Sequence, residues 1–320
     1  MARRALNSRV RGPAPGRSVT GTVTRVHSRH ARVALDDGEE TRCALRKTLF
    51  REEDQFTKPV AVGDRVRVTS FGPRTAVVEE VLPRRGYLAR LQVETGKEQI
   101  MVANVDQVLI TVALAEPAFR PRIADRILVA AERGGFDGII ALTKSDLIDD
   151  RGPFDEMAAL WSDMGYHTLF TSLVTGEGIG ELKKLLVGST TVLAGQSGVG
   201  KSSLLNAVEP ALELRSQTVS DKWGKGRHTT SSTALIPLKE GGFVVDTPGI
   251  RSWGIAGLEP SDIAIFFRDL APYIESCKYS ECTHDHEPDC AVKDAVAAGR
   301  IDDRRYESYL RIIMGMEEED

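Results

Sequence analysis

The amino-acid sequence predicts a multidomain α/β protein in three folded parts: an N-terminal OB-type β-barrel, a central doubly wound, mostly parallel sheet, and a C-terminal helical module built on a cysteine cluster. Three observations carry this. Short β-like runs broken by turn residues fill Val19 to Val81. Strand-like and helix-like runs then alternate from Gln107 to Asp246, the pattern of a parallel sheet covered by helices. Three of only four cysteines crowd into residues 277–290, which in so Cys-poor a chain points to a metal site and not to a disulfide framework. A chain of 320 residues is too long for one ordinary core, and the expected parts are a disordered basic tail over 1–17, the barrel over 18–84, the sheet domain over 85–256 and a zinc-binding domain over 257–320.

Composition narrows the class. Hydrophobic content of 41% and charged content of 28% are those of a soluble globular protein. No apolar run approaches the roughly 20 residues needed to span a bilayer, so no membrane segment is expected. The opening MARRALNSRVRGPAPGRS has charge without an apolar core, which predicts a cytoplasmic protein and not a secreted one. The net charge of -4 hides a gradient: residues 1–84 carry 17 Lys and Arg against 10 Asp and Glu, and residues 257–320 carry 7 against 16. A basic amino-terminal end is expected to touch a polyanion, the competing reading being a solvated surface with a loose tail.

In chain order, residues 1–17 hold five Arg, no acid, and Pro13 and Pro15, which predicts disorder in the free protein. Strand signals follow over Gly21 to Ala34, Thr41 to Leu45, Val66 to Ser70 and Ala76 to Val81, separated by the Asp36-Asp37-Gly38 and Gly63-Asp64 turns. Short strands in this succession suit a small closed barrel, a frequent nucleic-acid binder and also an inert adaptor. Arg84 to Gln99 reads as a connector. Thereafter Gln107 to Ala113 is a buried-strand run, and Ile123, Ile127, Leu128 and Ala131 mark a helix face. Strands at Gly138 to Leu142, Thr168 to Thr171, Thr190 to Ala194 and Phe243 to Asp246 alternate with helices at Phe154 to Met164, Ile179 to Leu186 and Ser203 to Val208. Helices over Ser261 to Glu275 and Asp302 to Met314 are expected to pack on the cysteine cluster.

Gly195-Gln196-Ser197-Gly198-Val199-Gly200-Lys201-Ser202 matches the phosphate-loop pattern GxxxxGK[ST] in full, and it has the strand-loop-helix setting that the motif requires. Its glycines let main-chain N–H groups converge on phosphate oxygens, with Ser203 continuing into the helix. Lys201 neutralises phosphate charge, and the Ser202 hydroxyl can ligate Mg²⁺. The bland alternative is a Gly-rich turn that merely starts a helix. Asp246-Thr247-Pro248-Gly249 closes a strand, so that Asp246 can hold Mg²⁺ through water and the Gly249 N–H can reach a γ-phosphate; by itself it is only a strand and a Pro-Gly turn. Between the two lies Lys222 to Thr230, Gly-rich and basic, which reads as a switch loop in which Thr229 or Thr230 meets Mg²⁺ and the γ-phosphate.

Thr143-Lys144-Ser145-Asp146 has the [NT]KxD form that reads guanine. Its Asp146 carboxylate accepts from N1–H and the exocyclic amine, and the Lys144 stem packs along the base. Ser172-Leu173 fits the element whose main-chain N–H meets guanine O6. A solvated turn is the alternative for each tetrapeptide alone. Where a Ras-like GTPase has its water-positioning Gln after DxxG, this chain has Ile250, so intrinsic hydrolysis is expected to be slow. His228 is the local candidate to place the water, the alternative being a contact to RNA phosphate. In Cys277-x4-Cys282-x-His284-x5-Cys290, three thiolates and an imidazole complete a closed tetrahedral Zn²⁺ shell, one ion per chain, with His286 a nearby competitor for the His position. Buried free cysteines are the alternative. Cys43 reads as a small core residue.

The elements run base-reading, base-reading, phosphate loop, switch, DTPG, whereas an ordinary GTPase begins with its phosphate loop. In this order, in GQSGVGKSS, in GRHTT and in DTPG, and in the flanking barrel and cysteine cluster, the chain resembles the circularly permuted GTPases of the ribosome-small-subunit-dependent GTPase A family over about residues 18–315. Thr143 stands where many GTPases have Asn, which is expected to weaken a contact bracing the base-reading loop, and Leu173 replaces a frequent small residue. The resemblance implies His284 as the fourth zinc ligand, GTP and GDP with Mg²⁺ as ligands, and a monomer that binds the small ribosomal subunit and its rRNA in the GTP state and leaves after subunit-stimulated hydrolysis late in assembly. The competing function is an RNA-binding module that uses guanine nucleotide as a structural ligand only.

Overall fold

The computed structural model describes residues 16, 18–50, 56–72, 75–92, 97–210, 233–246 and 258–315. The chain divides into two compact units, one built mainly on Met1–Val105 and the other on Asp106–Gly226 and Gly249–Asp320. In the first, β1 (Ser18–His27), β2 (His30–Leu35), β3 (Glu40–Leu45), β4 (Arg65–Gly72) and β5 (Thr75–Val81) close a barrel in the order β1-β2-β3-β5-β4. All pairs are antiparallel except β3 with β5. Alternation puts Val23, Ala31, Val33, Cys43, Val66, Val68 and Val78 wholly inside, so Cys43 is the core residue expected.

The connector expected at Arg84 to Gln99 is instead largely a hairpin, β6 (Tyr87–Gln92) with β7 (Lys97–Ala103). Its reason is non-local. Val102 bridges to Val62, Ile100 and Ala103 pack with Ala61, and Phe56 meets Tyr87 edge-on at 5.4 Å. Arg84 itself is a strut: it donates to the fully buried Asp64 carboxylate from Nε at 2.7 Å and Nη2 at 2.9 Å, and Asp64 also accepts from the Ala61 amide.

The second sheet follows from the predicted alternation. Its elements are β8 (Gln107–Ala113), α1 (Pro121–Gly134), β9 (Asp137–Thr143), α2 (Gly152–Asp163), β10 (His167–Thr171), α3 (Ile179–Leu186), β11 (Thr190–Ala194), α4 (Lys201–Val208), β12 (Ala234–Pro237) and β13 (Phe243–Asp246). The strand order is β10-β9-β8-β11-β13-β12, with β10, β9, β8 and β11 parallel. The chain steps outward from β8 through β9 to β10, then returns to the other side of β8. That reversal between β8 and β11 is the topological switch point at which ligands bind in open α/β sheets. Leu109, Ile139, Leu169 and Leu193 on one face bury against Leu182 and Leu186 of α3 and Leu204 and Leu205 of α4.

The rest is helical: α5 (Pro260–Ile263), α6 (Ala271–Ile274), α7 (Ala291–Ala297) and α8 (Asp303–Ile313). The single helix expected over Ser261 to Glu275 is broken, because Phe267 turns extended (φ -98, ψ 107) to sink its ring and Pro272 starts a new turn. Helix α8 begins as expected, with Asp302 accepting from the Arg304 amide at 2.9 Å. Phe267, Leu270, Val292, Ala295, Ile301 and Tyr309 form a core that Val129 of α1 joins. Buried Arg305 of α8 pairs with Asp125 of α1 and with Asp269, at 3.0 and 3.1 Å to the latter, while Trp161 Nε1 donates to Asp125 at 3.0 Å. Burial opposes the Arg305 charge, but the two carboxylates outweigh it and raise its pKa. Among the described residues no helix is long and apolar enough to cross a membrane.

Candidate nucleotide site and metal cluster

The phosphate-loop motif leaves β11 at the switch point. Gly195 has φ +132, and a β-carbon there would lie 2.3 Å from the Thr111 carbonyl oxygen, so only glycine lets the loop lie against β8. Gly198 and Gly200 are also left-handed, and Gly200 caps α4, whose first residues are Lys201, Ser202 and Ser203. The Lys201 ammonium donates to the carbonyl oxygens of Gly195, at 2.7 Å, and Gln196. It thus folds back onto the start of its own loop, which runs on through Ser197. A phosphate seated on the α4 N-terminus competes with those carbonyls for the same cation.

The Thr143-Lys144-Ser145-Asp146 segment is bolted to this loop. Thr143 Oγ1 donates to the carbonyl oxygen of buried Val199 at 2.7 Å. The brace expected to be weakened by Thr in place of Asn is therefore present, made by a shorter side chain. Lys144 is left-handed (φ +61), and its ammonium donates to the Glu116 carbonyl. Asp146 Oδ1 accepts from Ser172 Oγ at 2.5 Å, and the same Ser172 oxygen accepts from the amides of Val174 and Thr175, both at 3.1 Å. Ser172 is buried, while the Leu173 side chain is exposed. The parallel pairing of β9 with β10 is what brings Asp146 and Ser172, 26 residues apart, to one edge.

Sequence reasoning missed Glu177 and Arg151. The Glu177 carboxylate accepts from Ser145 Oγ at 2.6 Å and from both terminal nitrogens of Arg151, at 2.8 and 2.5 Å. The Arg151 guanidinium, with Ser145, holds the Glu177 carboxyl below the usual carboxylate range. The available signal was a carboxylate between two glycines, Gly176 and Gly178, both at positive φ.

The donor atoms of Cys277, Cys282, His284 and Cys290 all lie within 4.8 Å of one another, and this group could hold a metal ion. Cys277 Sγ and Cys290 Sγ are 3.9 Å apart, close to the sulfur–sulfur edge of about 3.8 Å that a tetrahedron with Zn–S bonds near 2.3 Å requires. His284 Nδ1 faces both sulfurs, at 3.5 and 3.4 Å. All four cysteines of the chain are free thiols. Burial pushes the Cys282 thiol up to about 12, raises Cys290 and lowers His284, so burial favours the neutral forms of these three donors, and a divalent ion would convert the thiols to thiolates. Of the two histidines, His284 is wholly buried at φ +58, whereas His286 is exposed beside Asp285. Tyr306 and Tyr309 of α8 donate to the carbonyls of His284 (2.6 Å) and Thr283 (2.7 Å), fixing the knuckle from outside.

His228, Thr229, Thr230, Gly249, Ile250 and the acidic end Glu317 to Asp320 lie outside the described residues, as does nearly all of the basic tail; of Asp246 only the main chain, ending β13, is described.

Residues 81–256 match the family model described as RsgA GTPase. The small ribosomal subunit biogenesis GTPase RsgA of Gemmatimonas aurantiaca is 40% identical over 302 residues, covering 92% of this chain and 96% of the relative. That of Moorella thermoacetica is 40% identical over 277 residues, 87% and 90% of the two chains. Among solved structures, YjeQ from Thermotoga maritima aligns with a TM-score of 0.77 at 34% identity, covering 95% of this chain and all of that one. YloQ, a circularly permuted GTPase, aligns with a TM-score of 0.72 at 28% identity and 98% coverage of both chains. With the Thr143-Lys144-Ser145-Asp146 and Ser172-Leu173 segments ahead of the phosphate-loop motif, and a barrel and a cysteine cluster flanking them in sequence, the chain belongs to the RsgA GTPase family.

Proposed function

We propose that this GTPase acts late in assembly of the small ribosomal subunit, binding it and its rRNA in the GTP state and leaving once the subunit has stimulated hydrolysis. What supports the reading most is the join between Thr143 and Val199, which couples a guanine-reading segment to a phosphate loop in the permuted order of relatives named as small ribosomal subunit biogenesis GTPases. In this reading Asp146 accepts from guanine N1–H and the exocyclic amine, Lys144 packs along the base, and the Ser172-Leu173 main chain meets O6. Gly195 to Ser203 wrap the phosphates and Lys201 balances their charge. Ser202, which begins α4 beside Lys201, and Asp246 are the residues to hold Mg²⁺, which when bound with GTP offsets charge on the β- and γ-phosphates. Thr229, Thr230 and Gly249 sense the γ-phosphate, and His228 places the attacking water that Ile250 cannot. The four-donor cluster takes one structural Zn²⁺ through Cys277, Cys282, His284 and Cys290. The barrel offers an anion-binding face: a pocket of about 390 Å³ is lined by His27, His30, Arg32 and Arg42. The protein works as a cytoplasmic monomer.

GTP turnover with and without purified small subunits tests this. Strong stimulation is expected, suppressed steeply by salt. His228→Ala is expected to lose most of the stimulated rate with nucleotide binding nearly intact, while Lys201→Ala weakens binding itself. Asp146→Asn is expected to turn preference from guanine toward xanthine, since an amide presents a donor where an acceptor stood. Unstimulated turnover would leave an RNA-binding module with a structural nucleotide.

A further inference from the structure

Glu177 lies between β10 and α3, in no nucleotide-binding motif, yet it holds both supports of Asp146. Through its carboxylate it fixes Ser145, the chain neighbour of Asp146, at 2.6 Å. Through its main-chain carbonyl it accepts from the Ser172 amide at 3.1 Å, and Ser172 is the residue whose hydroxyl donates to Asp146. The loop cannot drift from its strand: Gly178 has φ +68, and a β-carbon there would lie 2.1 Å from the Phe170 carbonyl oxygen. Arg151, capping α2, grips both Glu177 oxygens and stacks its guanidinium 4.9 Å over the Phe170 ring.

We propose that Glu177 is a positioning residue for guanine recognition, supported by Arg151, and that together they set the angle at which Asp146 presents its two oxygens to the base. The proposal rests on Asp146 as the base-reading carboxylate. Two parallel hydrogen bonds to one carboxylate demand that both oxygens be aligned at once, so a carboxylate free to rotate loses the second bond first. The side chains of Arg151 and Glu177 are 38% and 36% exposed, so their pairing contributes little to folding and its effect falls on the base. No atom of the pair bonds the phosphate loop among the contacts described, which places the effect on KM for GTP and not on kcat.

The test uses the full-length protein and compares affinity for GDP with affinity for inosine diphosphate, which lacks the exocyclic amine. Glu177→Ala is expected to weaken GDP about tenfold and inosine diphosphate less, narrowing the preference. Glu177→Gln, whose amide oxygen still accepts from Ser145, is expected to keep most of it, and Arg151→Met to fall between. Asp146→Ala is the reference and is expected to abolish the preference. If it does while Glu177→Ala and Arg151→Met both retain wild-type preference, the proposal is overturned. If Asp146→Ala itself retains the preference, the base-reading assignment falls and the proposal with it. Should Glu177→Ala fail to fold, Arg151→Met decides: a narrowed preference with raised KM supports the proposal, and an unchanged one overturns it.

Discussion

The phosphate-loop motif is shaped through main-chain groups, and the cysteine cluster through side chains. The loop is shaped by left-handed glycines and by Thr143 and Lys201 donating to its carbonyl oxygens, all set by where β8, β9 and β11 end. The cluster is shaped by four side chains gathered from short helices and turns, with buried thiols raised in pKa and His284 in a left-handed conformation. A site made of backbone is finished when the sheet is finished. A cluster of thiols and an imidazole that could hold an ion would have its stability linked to that ion. Both regions belong to the second compact unit, so the contrast arises within one piece of structure.

The largest effect that should follow is loss of order around the cluster when metal is removed or Cys282→Ala is introduced. Hydrogen exchange over residues 258–315 is expected to rise sharply, with β8, β9 and β11 nearly unchanged. Next comes Arg305→Met, which strands the carboxylates of Asp125 and Asp269 against an apolar side chain. It should cost about 3–5 kcal/mol by thermal or denaturant unfolding and loosen α8 from α1, which would blur the contrast by exposing the helix beside the sheet. Gly195→Ala is a purely main-chain insult. A left-handed residue with a β-carbon against the Thr111 carbonyl should cost on the order of 2–3 kcal/mol, read by calorimetry as weakened GDP binding with the metal retained. The smallest is Thr143→Val, which deletes the hydroxyl bond to Val199 and should cost about 1 kcal/mol, a few-fold in GDP affinity.

The same contrast explains what was legible in the sequence. The backbone site was readable because its requirements are local: β11 falls at Thr190–Ala194 as the apolar run predicted, and the glycine spacing marks the turn that follows. The candidate metal-binding residues were readable as residue types, but that His284 joins the cysteines while His286 is exposed was not. Partners distant in sequence were not readable. The hairpin over 87–103 is held by Ala61 and Val62, Arg305 by residues 36 and 180 positions away, and Glu177 by Ser145 and Arg151. Each of these is a polar or short apolar residue whose local pattern says only that it is near a surface. The broken helix at Phe267 has the same origin, since a burial target in α8 overrides the helical propensity of its neighbours.

The most direct test of this account is GDP titration of the full-length chain before and after metal is stripped by a chelator, with hydrogen exchange followed on the same samples. Residues 258–315 are expected to lose protection while GDP affinity stays within about twofold, because the phosphate-loop motif and the Thr143 segment are held by the sheet and not by the cysteine cluster. A collapse of GDP affinity in step with metal loss, or full protection of 258–315 in its absence, would contradict the claim that one site is built by the fold and the other by its ligand.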